Sequence, residues 1–263
     1  MSTYNTPKEI AREFCQSGTG KAKLPTAKFA LLAILGGIYI AFGGLLYLMV
    51  AGGSPALAAA NPGIVKFLGG AMFPIGLIMV TVAGADLFTS DCAAMVLPVM
   101  QKQLKTSALL RVWALSYLFN FVGAVAVAYF FAYQTGFITT APWQEFLHNL
   151  VHAKTHTPFF TVFLKGIGAN WLVCLGAWMG FAGKDIVSKS IGIWIPVMLF
   201  VTLGFEHSIA NMFFIPAGIF SGADVSWAQF GLNNLVPATL GNIAGGAVFV
   251  GCAYWYIYLK GEK

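Results

Sequence analysis

Residues 191–219 read IGIWIPVMLFVTLGFEHSIANMFFIPAGI, and this stretch decides the fold. It is long enough to cross a bilayer, since about 20 apolar residues in a helix span the hydrocarbon core. Glu206 and His207 interrupt it, although ionisable groups are costly at membrane depth. Irregular backbone is tolerated there only where protein or a cavity satisfies it. We therefore predict a membrane span that is broken at residues 204–208.

The rest of the chain has the same apolar character. Of its 263 residues, 58% are hydrophobic and only 9% are charged, and the mean hydropathy is +0.77. Ordinary soluble domains carry about 25% charged residues. The apolar residues fall in six long runs, which predict six transmembrane helices at about 29–50, 64–100, 108–133, 159–181, 191–219 and 235–258.

A second polar interruption, residues 84–91, lies in the second run and matches the one in the fifth. With three spans in each half, the second half must be inserted upside down relative to the first. Broken helices at matching places in inverted repeats are the best sequence indication of a central transport site. We predict an all-α membrane protein of two inverted three-helix repeats, at about 29–134 and 159–259, with spans two and five broken.

Basic residues are concentrated on alternate connections between these spans. They lie in the N-terminal tail, at Lys102, Lys105 and Arg111, at Lys184 and Lys189, and at Lys260 and Lys263. The positive-inside rule then places both termini in the cytoplasm of a multi-pass protein of the inner or plasma membrane. The predicted organisation is a cytoplasmic tail (1–28) without a cleavable signal peptide, a six-span membrane domain (29–259) and a cytoplasmic C-terminus (260–263). This placement of charge predicts lipid as a partner and no nucleic acid.

His207 is the only histidine outside the connection between spans three and four. An ionisable group at this depth usually faces an internal pathway and carries function. Glu206 could orient the imidazole or hold its charge. Asn170, Asn211 and Asn242 lie in or beside apolar spans and could bond the broken backbone, the histidine or a permeating anion. Each alone could equally join one helix to another.

Other polar residues receive simpler interpretations. His148, His152 and His156 recur every four residues and could hold a metal on a helix, but we favour a solvated outer connection and predict no metal and no cofactor. Asp86 and Asp91 flank the first break, where we expect them to cap a helix. The four cysteines are scattered, and we expect them to be small buried side chains.

Four strings carry a resemblance to a known family. They are Gly84-Ala-Asp-Leu-Phe-Thr-Ser90, Ala169-Asn-Trp-Leu-Val-Cys-Leu175, Gly204-Phe-Glu-His-Ser-Ile-Ala-Asn-Met212 and Asn234-Leu-Val-Pro-Ala-Thr-Leu-Gly-Asn-Ile243. In this order, and over essentially the whole chain, they resemble the signatures of the formate/nitrite transporter family. The first break is similar to that of formate channels, whereas His152-Ala-Lys-Thr and the Lys165-Gly pair are similar to nitrite channels.

The resemblance implies an aquaporin-like protomer of six helices, assembled as a homopentamer with one pore in each protomer. It implies that His207 is the central pore histidine and that Thr89 hydrogen-bonds toward it from a flexible loop. The polar residues implied around this histidine are Glu206, Asn211 and Asn170. The implied constrictions are Phe73 and Phe200 on the outer side and Leu77 and Leu87 on the inner side, with Phe88 also counted among them. Lys154 is implied to be a vestibule lysine that attracts anions.

The resemblance implies a channel for small monovalent anions of weak acids, most of all formate, and we expect His207 to lend positive charge or to transfer a proton to the substrate. Nitrite and hydrosulfide are alternative substrates. A neutral-solute channel would normally show paired Asn-Pro-Ala boxes, but only Asn61-Pro-Gly63 is present. A membrane redox subunit would need paired histidines for haem at membrane depth. A signalling or assembly protein would leave the polar breaks without a role, and no nucleophile–base pair or phosphate loop indicates an enzyme.

Overall fold

The computed structural model describes residues 4–261, so residues 1–3 and 262–263 of the predicted tails lie outside the described residues. Within that range the chain is helical apart from turns and one isolated bridge between Tyr4 and Gly183. The helices are α1 (Pro7–Ala22), α2 (Thr26–Gly52), α3 (Pro55–Ala60), α4 (Pro62–Ala83), α5 (Phe88–Met100), α6 (Thr106–Tyr133), α7 (Trp143–His156), α8 (Phe159–Ala182), α9 (Ile186–Thr202), α10 (Ser208–Phe220) and α11 (Trp227–Tyr258).

Five of these helices are long and apolar enough to cross a membrane, namely α2, α4, α6, α8 and α11. The remaining span, the fifth in chain order, consists of the shorter apolar helices α9 and α10, which are separated by a break. A similar break separates α4 from α5, so the prediction of six spans with the second and fifth broken is confirmed. The first break is shorter than predicted, because residues 88–91 already belong to the first turn of α5, whereas the second covers residues 203–207 and is as long as predicted.

Each break begins with a glycine in the left-handed conformation. Gly84 has φ +81° and ends α4, while Gly204 has φ +68° and follows the last turn of α9. Glycine adopts this conformation without the steric cost that a Cβ atom brings. The chain then extends through Leu87 in one break and His207 in the other, before α5 and α10 begin. The starts of the two half-helices meet, since Thr89 Oγ1 and His207 Nε2 lie 2.9 Å apart, and from there α5 runs toward α1 and α10 runs toward α7.

The side chain of Asn120, on α6, holds the first break together. Its Oδ1 accepts the Phe88 N–H at 2.9 Å, and its Nδ2 donates to the carbonyl oxygens of Asp86 at 2.9 Å and Ala33 at 2.6 Å. The amide is buried, as are the backbone groups that the break exposes. Unpaired backbone groups would be costly here, so one amide satisfies two groups of the break and also joins it to α2 at Ala33.

The side chain of Asn242, on α11, makes the same contacts in the second break. Its Oδ1 accepts the Ser208 N–H at 2.8 Å, and its Nδ2 donates to the carbonyl oxygens of Glu206 at 2.9 Å and Gly166 at 2.8 Å. Asn120 and Asn242 thus occupy equivalent places on the third span of each half. The inverted repeat extends down to individual hydrogen bonds.

One short helix lies across each end of the bundle. Helix α1 precedes the first half and packs on the ends of α5, α8 and α11, although no helix was predicted in the N-terminal tail. Helix α7 precedes the second half, and its Trp143 Nε1 donates to Met49 O at the far end of α2, 3.1 Å away. The predicted loops at 51–62 and 134–158 therefore contain α3 and α7. We call the two ends of the bundle the α1 mouth and the α7 mouth.

Candidate functional site at the two helix breaks

The imidazole of His207 joins the two breaks. Its Nε2 lies 2.9 Å from Thr89 Oγ1, and its Nδ1 accepts the Ala210 N–H at 3.0 Å as the N-cap of α10. Since Nδ1 is an acceptor, the ring proton sits on Nε2 and is donated to Thr89. The Thr89 hydroxyl is then free to donate its own hydrogen to a molecule beside it. His207 is buried, and the Phe200 ring stacks on it with centroids 5.7 Å apart.

Asn170 positions Thr89 through the backbone and does not contact the imidazole by a hydrogen bond. Its Nδ2 donates to Thr89 O at 3.0 Å and to Asn242 O at 2.6 Å. Cys174 Sγ adds a third contact, to Thr89 O at 3.2 Å. The first turn of α5 is therefore tied to both α8 and α11, which fixes the hydroxyl that faces His207.

The α7 mouth contains a cavity of about 60 Å³ that both Lys154 and His207 line. Lys154 Nζ lies 3.0 Å from Glu206 Oε2, a buried carboxylate. The same oxygen accepts from Asn211 Nδ2 at 2.7 Å and from Asn234 Nδ2 at 3.1 Å. Asn211 lines the cavity, whereas Glu206 is buried behind Lys154, and neither makes a hydrogen bond to the ring of His207.

Apolar side chains separate this cavity from the other mouth. Phe73 and Phe200 meet edge to face, with centroids 5.9 Å apart, between the cavity and a narrow central space. Leu77, Leu87 and His207 line that central space, which leaves no room for a water-sized sphere. The structure therefore brings together the four residues implied for the constrictions.

Phe88 does not line this central space. Its ring packs away from the central space, with centroids 4.9 Å from Tyr117 and 6.4 Å from Trp113. The reason is local: Leu87 is extended and Phe88 opens α5, so the two neighbouring side chains point in different directions. The structure therefore does not bring Phe88 together with the other four residues, and its implied role stays a prediction.

The α1 mouth contains a cavity of about 140 Å³, lined by Lys21, Leu87 and Ser90 among others. Lys21 Nζ lies 2.9 Å from Asp86 Oδ2 and also pairs with Asp91 Oδ1. Burial opposes the charge of Lys21, but the two carboxylates outweigh it and raise the pKa of the lysine. The prediction that Asp86 and Asp91 cap a helix was wrong, because their oxygens pair with Lys21 and α5 has no side-chain cap.

Comparison with known proteins agrees with this architecture. A family model described as "Formate/nitrite transporter" matches residues 8–256. The chain belongs to the formate/nitrite transporter family. A "Probable formate transporter" of Methanothermobacter thermautotrophicus is 46% identical over 98% of this chain and 99% of its own length.

Two solved structures have the same fold as this formate/nitrite transporter family member. One, described as "FNT family ion channel", gives a TM-score of 0.87 at 28% identity, covering 94% of this chain and 98% of its own. The other, "Pentameric formate channel with formate bound", gives a TM-score of 0.77 at 35% identity and covers 89% of this chain and 98% of its own. The chain is therefore a multi-pass membrane protein with the fold of these channels.

Sequence reasoning about this family member missed Lys21, Asn120 and Asn234. Asn120 could have been recognised from the sequence, because it is an amide inside an apolar run just as Asn242 is. Asn234 lies in one of the recognised strings but carried no assigned role. Lys21 could not have been recognised, since nothing in the sequence distinguishes it from the other basic residues of the tail.

The three histidines of α7 lie apart from the two breaks. His148 Nε2 lies 3.2 Å from Ser221 O, while the rings of His152 and His156 stack with centroids 3.9 Å apart. Among residues 4–261, no group of three or more His, Cys, Asp or Glu side chains is placed to hold a metal ion.

Proposed function

We propose that this family member is a channel for small monovalent anions of weak acids, with formate as the main substrate and nitrite or hydrosulfide as alternatives. The observation that carries the proposal is the bond between Thr89 and His207, which joins the two breaks between two apolar constrictions. The name of its relative, a probable formate transporter, and that of a formate-bound channel of the same fold support formate.

The α7 mouth faces the outside and the α1 mouth faces the cytoplasm. The basic connections and α1 lie at the same end of the bundle, as the positive-inside rule requires of a cytoplasmic side. The host membrane is the cell membrane, with residues 29–259 as the channel domain and both termini inside. A pentamer is supported by the solved channel described as pentameric, and its apolar outer faces would contact neighbouring copies and lipid.

The apolar constrictions decide which form of the substrate passes. Removing a carboxylate from water costs several kcal/mol even after protein relaxation. Protonating a carboxylic acid of pKa about 4 at pH 7 costs roughly 4 kcal/mol, and the resulting neutral molecule passes apolar side chains far more easily. The substrate therefore crosses the phenylalanine and leucine constrictions in a form close to the neutral acid.

His207 and Thr89 are the place where the anion gains its proton. In the resting geometry the ring is neutral, and Thr89 offers a hydroxyl hydrogen to the anion. A proton taken up from water in the α7 mouth makes the ring cationic and displaces the Ala210 N–H from Nδ1. Nε2 then passes its proton to Thr89 Oγ1 while Thr89 passes its hydroxyl hydrogen to the anion, which leaves as the acid. The ring is left neutral with its proton on Nδ1, and it returns to the starting form when Nδ1 gives this proton to water and Nε2 takes one up.

Lys154 gathers the anion in the outer mouth. Its ammonium lies in the same cavity as His207 and is paired with Glu206 at 3.0 Å, so an arriving anion competes with this carboxylate. Asn211 and Asn234 stabilise the carboxylate when the lysine turns toward the anion.

Flux measurements in proteoliposomes test this function. Wild-type protein is expected to take up formate faster at an outside pH of roughly 5 than at pH 7, whereas His207→Gln and His207→Ala lose this dependence. His156→Gln is the matched control, since this exposed histidine lies outside the central path. A His207 variant that keeps the wild-type pH dependence would refute proton transfer, and wild-type liposomes impermeable to formate, nitrite and hydrosulfide would refute the channel.

A further inference from the structure

The two mouths of the bundle are built from equivalent residues. In each, a lysine from the last turn of the end helix reaches a carboxylate in the break: Lys21 pairs with Asp86, and Lys154 pairs with Glu206. Asp86 and Glu206 are themselves equivalent, since their carbonyl oxygens accept from the matching asparagines of the two halves.

The residues of the two mouths differ at one equivalent position. Five residues after the break carboxylate, the α7 mouth has Asn211 and the α1 mouth has Asp91. Asn211 donates its amide to Glu206, so that mouth holds one lysine, one carboxylate and neutral amides. Asp91 cannot donate when ionised, and it brings a second carboxylate to a single lysine.

Few groups offset the negative charge that this second carboxylate adds. Asp91 is 0% exposed and Asp86 is 2% exposed, so water does not screen them. One oxygen of each, Asp91 Oδ2 and Asp86 Oδ1, has no hydrogen-bond partner. Because both carboxylates contact the same Lys21 Nζ, their oxygens also lie close to each other. Two carboxylates sharing a buried site do not both stay ionised, and one of them takes up a proton.

The other groups that face Asp91 do not change this balance. They are Lys21 from α1, Cys174 from α8, Cys92 on α5 itself and His207, which reaches this turn through Thr89. The thiols are buried and neutral, and the ring of His207 is neutral while Nδ1 accepts from Ala210. Lys21 is the only cation among them and is already shared.

We propose that Asp86 and Asp91 hold one exchangeable proton beside Lys21, a proton-binding site that the α7 mouth lacks. With the proton bound, the α1 mouth is neutral like the α7 mouth. Without it, the mouth carries one negative charge and repels anions arriving from that side. This consequence for flux rests on the proposed function, whereas the proton site itself does not.

Infrared spectroscopy of the full-length protein tests the proton directly. Wild type is expected to show the carbonyl band of a protonated carboxylic acid near neutral pH, to lose it at alkaline pH and to shift it in D₂O. Asp91→Asn and Asp86→Asn should each abolish the band, because a single carboxylate beside Lys21 stays ionised. Asp185→Asn, at an exposed helix cap, is the matched control and should keep it. Absence of the band from wild type, or its survival in either variant, would overturn the proposal.

A flux measurement then tests whether the deprotonated α1 mouth repels anions. Formate efflux is compared between wild type and Asp91→Asn at several pH values on the α1 side, with identical gradients. The ratio of variant to wild-type efflux should rise at least severalfold as that pH increases, because only wild type gains the negative charge. A constant ratio would refute the link to flux. If neither protein passes formate, the proposed function fails while the infrared result still decides the proton.

Discussion

Replacing Asn242 by alanine should loosen the second break and displace His207. The substitution removes three hydrogen bonds, to Ser208 N, Glu206 O and Gly166 O, all between 2.8 and 2.9 Å. Hydrogen bonds between membrane helices contribute about 0.6 kcal/mol on average, and about 1 kcal/mol is typical of proteins in general. Three bonds give a loss of about 2–3 kcal/mol. On the scale of soluble proteins of this size, this lowers the melting temperature by roughly 5–10 °C.

Thermal unfolding of purified protein in detergent measures this loss. Asn120→Ala is the matched variant, since it removes the same three contacts from the first break and should cost a similar amount. Asn233→Ala is the control, because that exposed side chain makes a single bond, to Thr155 O at 3.1 Å. If the melting temperature of Asn242→Ala equals that of Asn233→Ala within experimental error, the Asn242 side chain does not stabilise the second break. The matching hydrogen bonds of the two halves would then contribute nothing measurable to stability.

Three further predictions concern the mouths. Lys154→Ala should reduce formate flux more at low than at high salt, since screening weakens attraction at a distance; an equal loss at both would contradict that role. Gly18→Ala should release α1 from the bundle and expose it to protease, because the new Cβ would lie 2.3 Å from Ala94 O. Gly20→Ala is the control: its Cβ would meet nothing within 4 Å, and the helix should gain up to about 1 kcal/mol of stability. Burial raises the pKa of Cys15 to about 11, so maleimide labelling should be slow at neutral pH and accelerate as pH rises; rapid labelling at neutral pH would show an α1 that leaves the bundle.

The spans and breaks could be predicted because their causes are local. An apolar run of sufficient length predicts a span, and Gly84 and Gly204 begin the polar interruptions that become the breaks. The first break was predicted too long, because residues 89–91 are polar and yet helical. Polarity alone does not distinguish a break from the first turn of a half-helix.

The contacts within the site could not be predicted from local pattern. Thr89 and His207 lie 118 positions apart, and only the family resemblance indicated that they meet. Asp91 was assigned by a local rule of helix capping, but its partner Lys21 lies 70 positions away on a helix that was not predicted. Long-range pairs of this kind depend on how the helices pack, which one sequence does not reveal.

The shared starting point of α5 and α10 has a consequence for charge selectivity. Each helix N-terminus is equivalent to roughly half a positive elementary charge, so two that begin at the centre place about one positive charge there. This charge comes from peptide groups and does not depend on any titratable side chain. Changes in pH, or the loss of Lys154, should therefore alter how fast anions pass but should not make the path admit sodium or potassium ions.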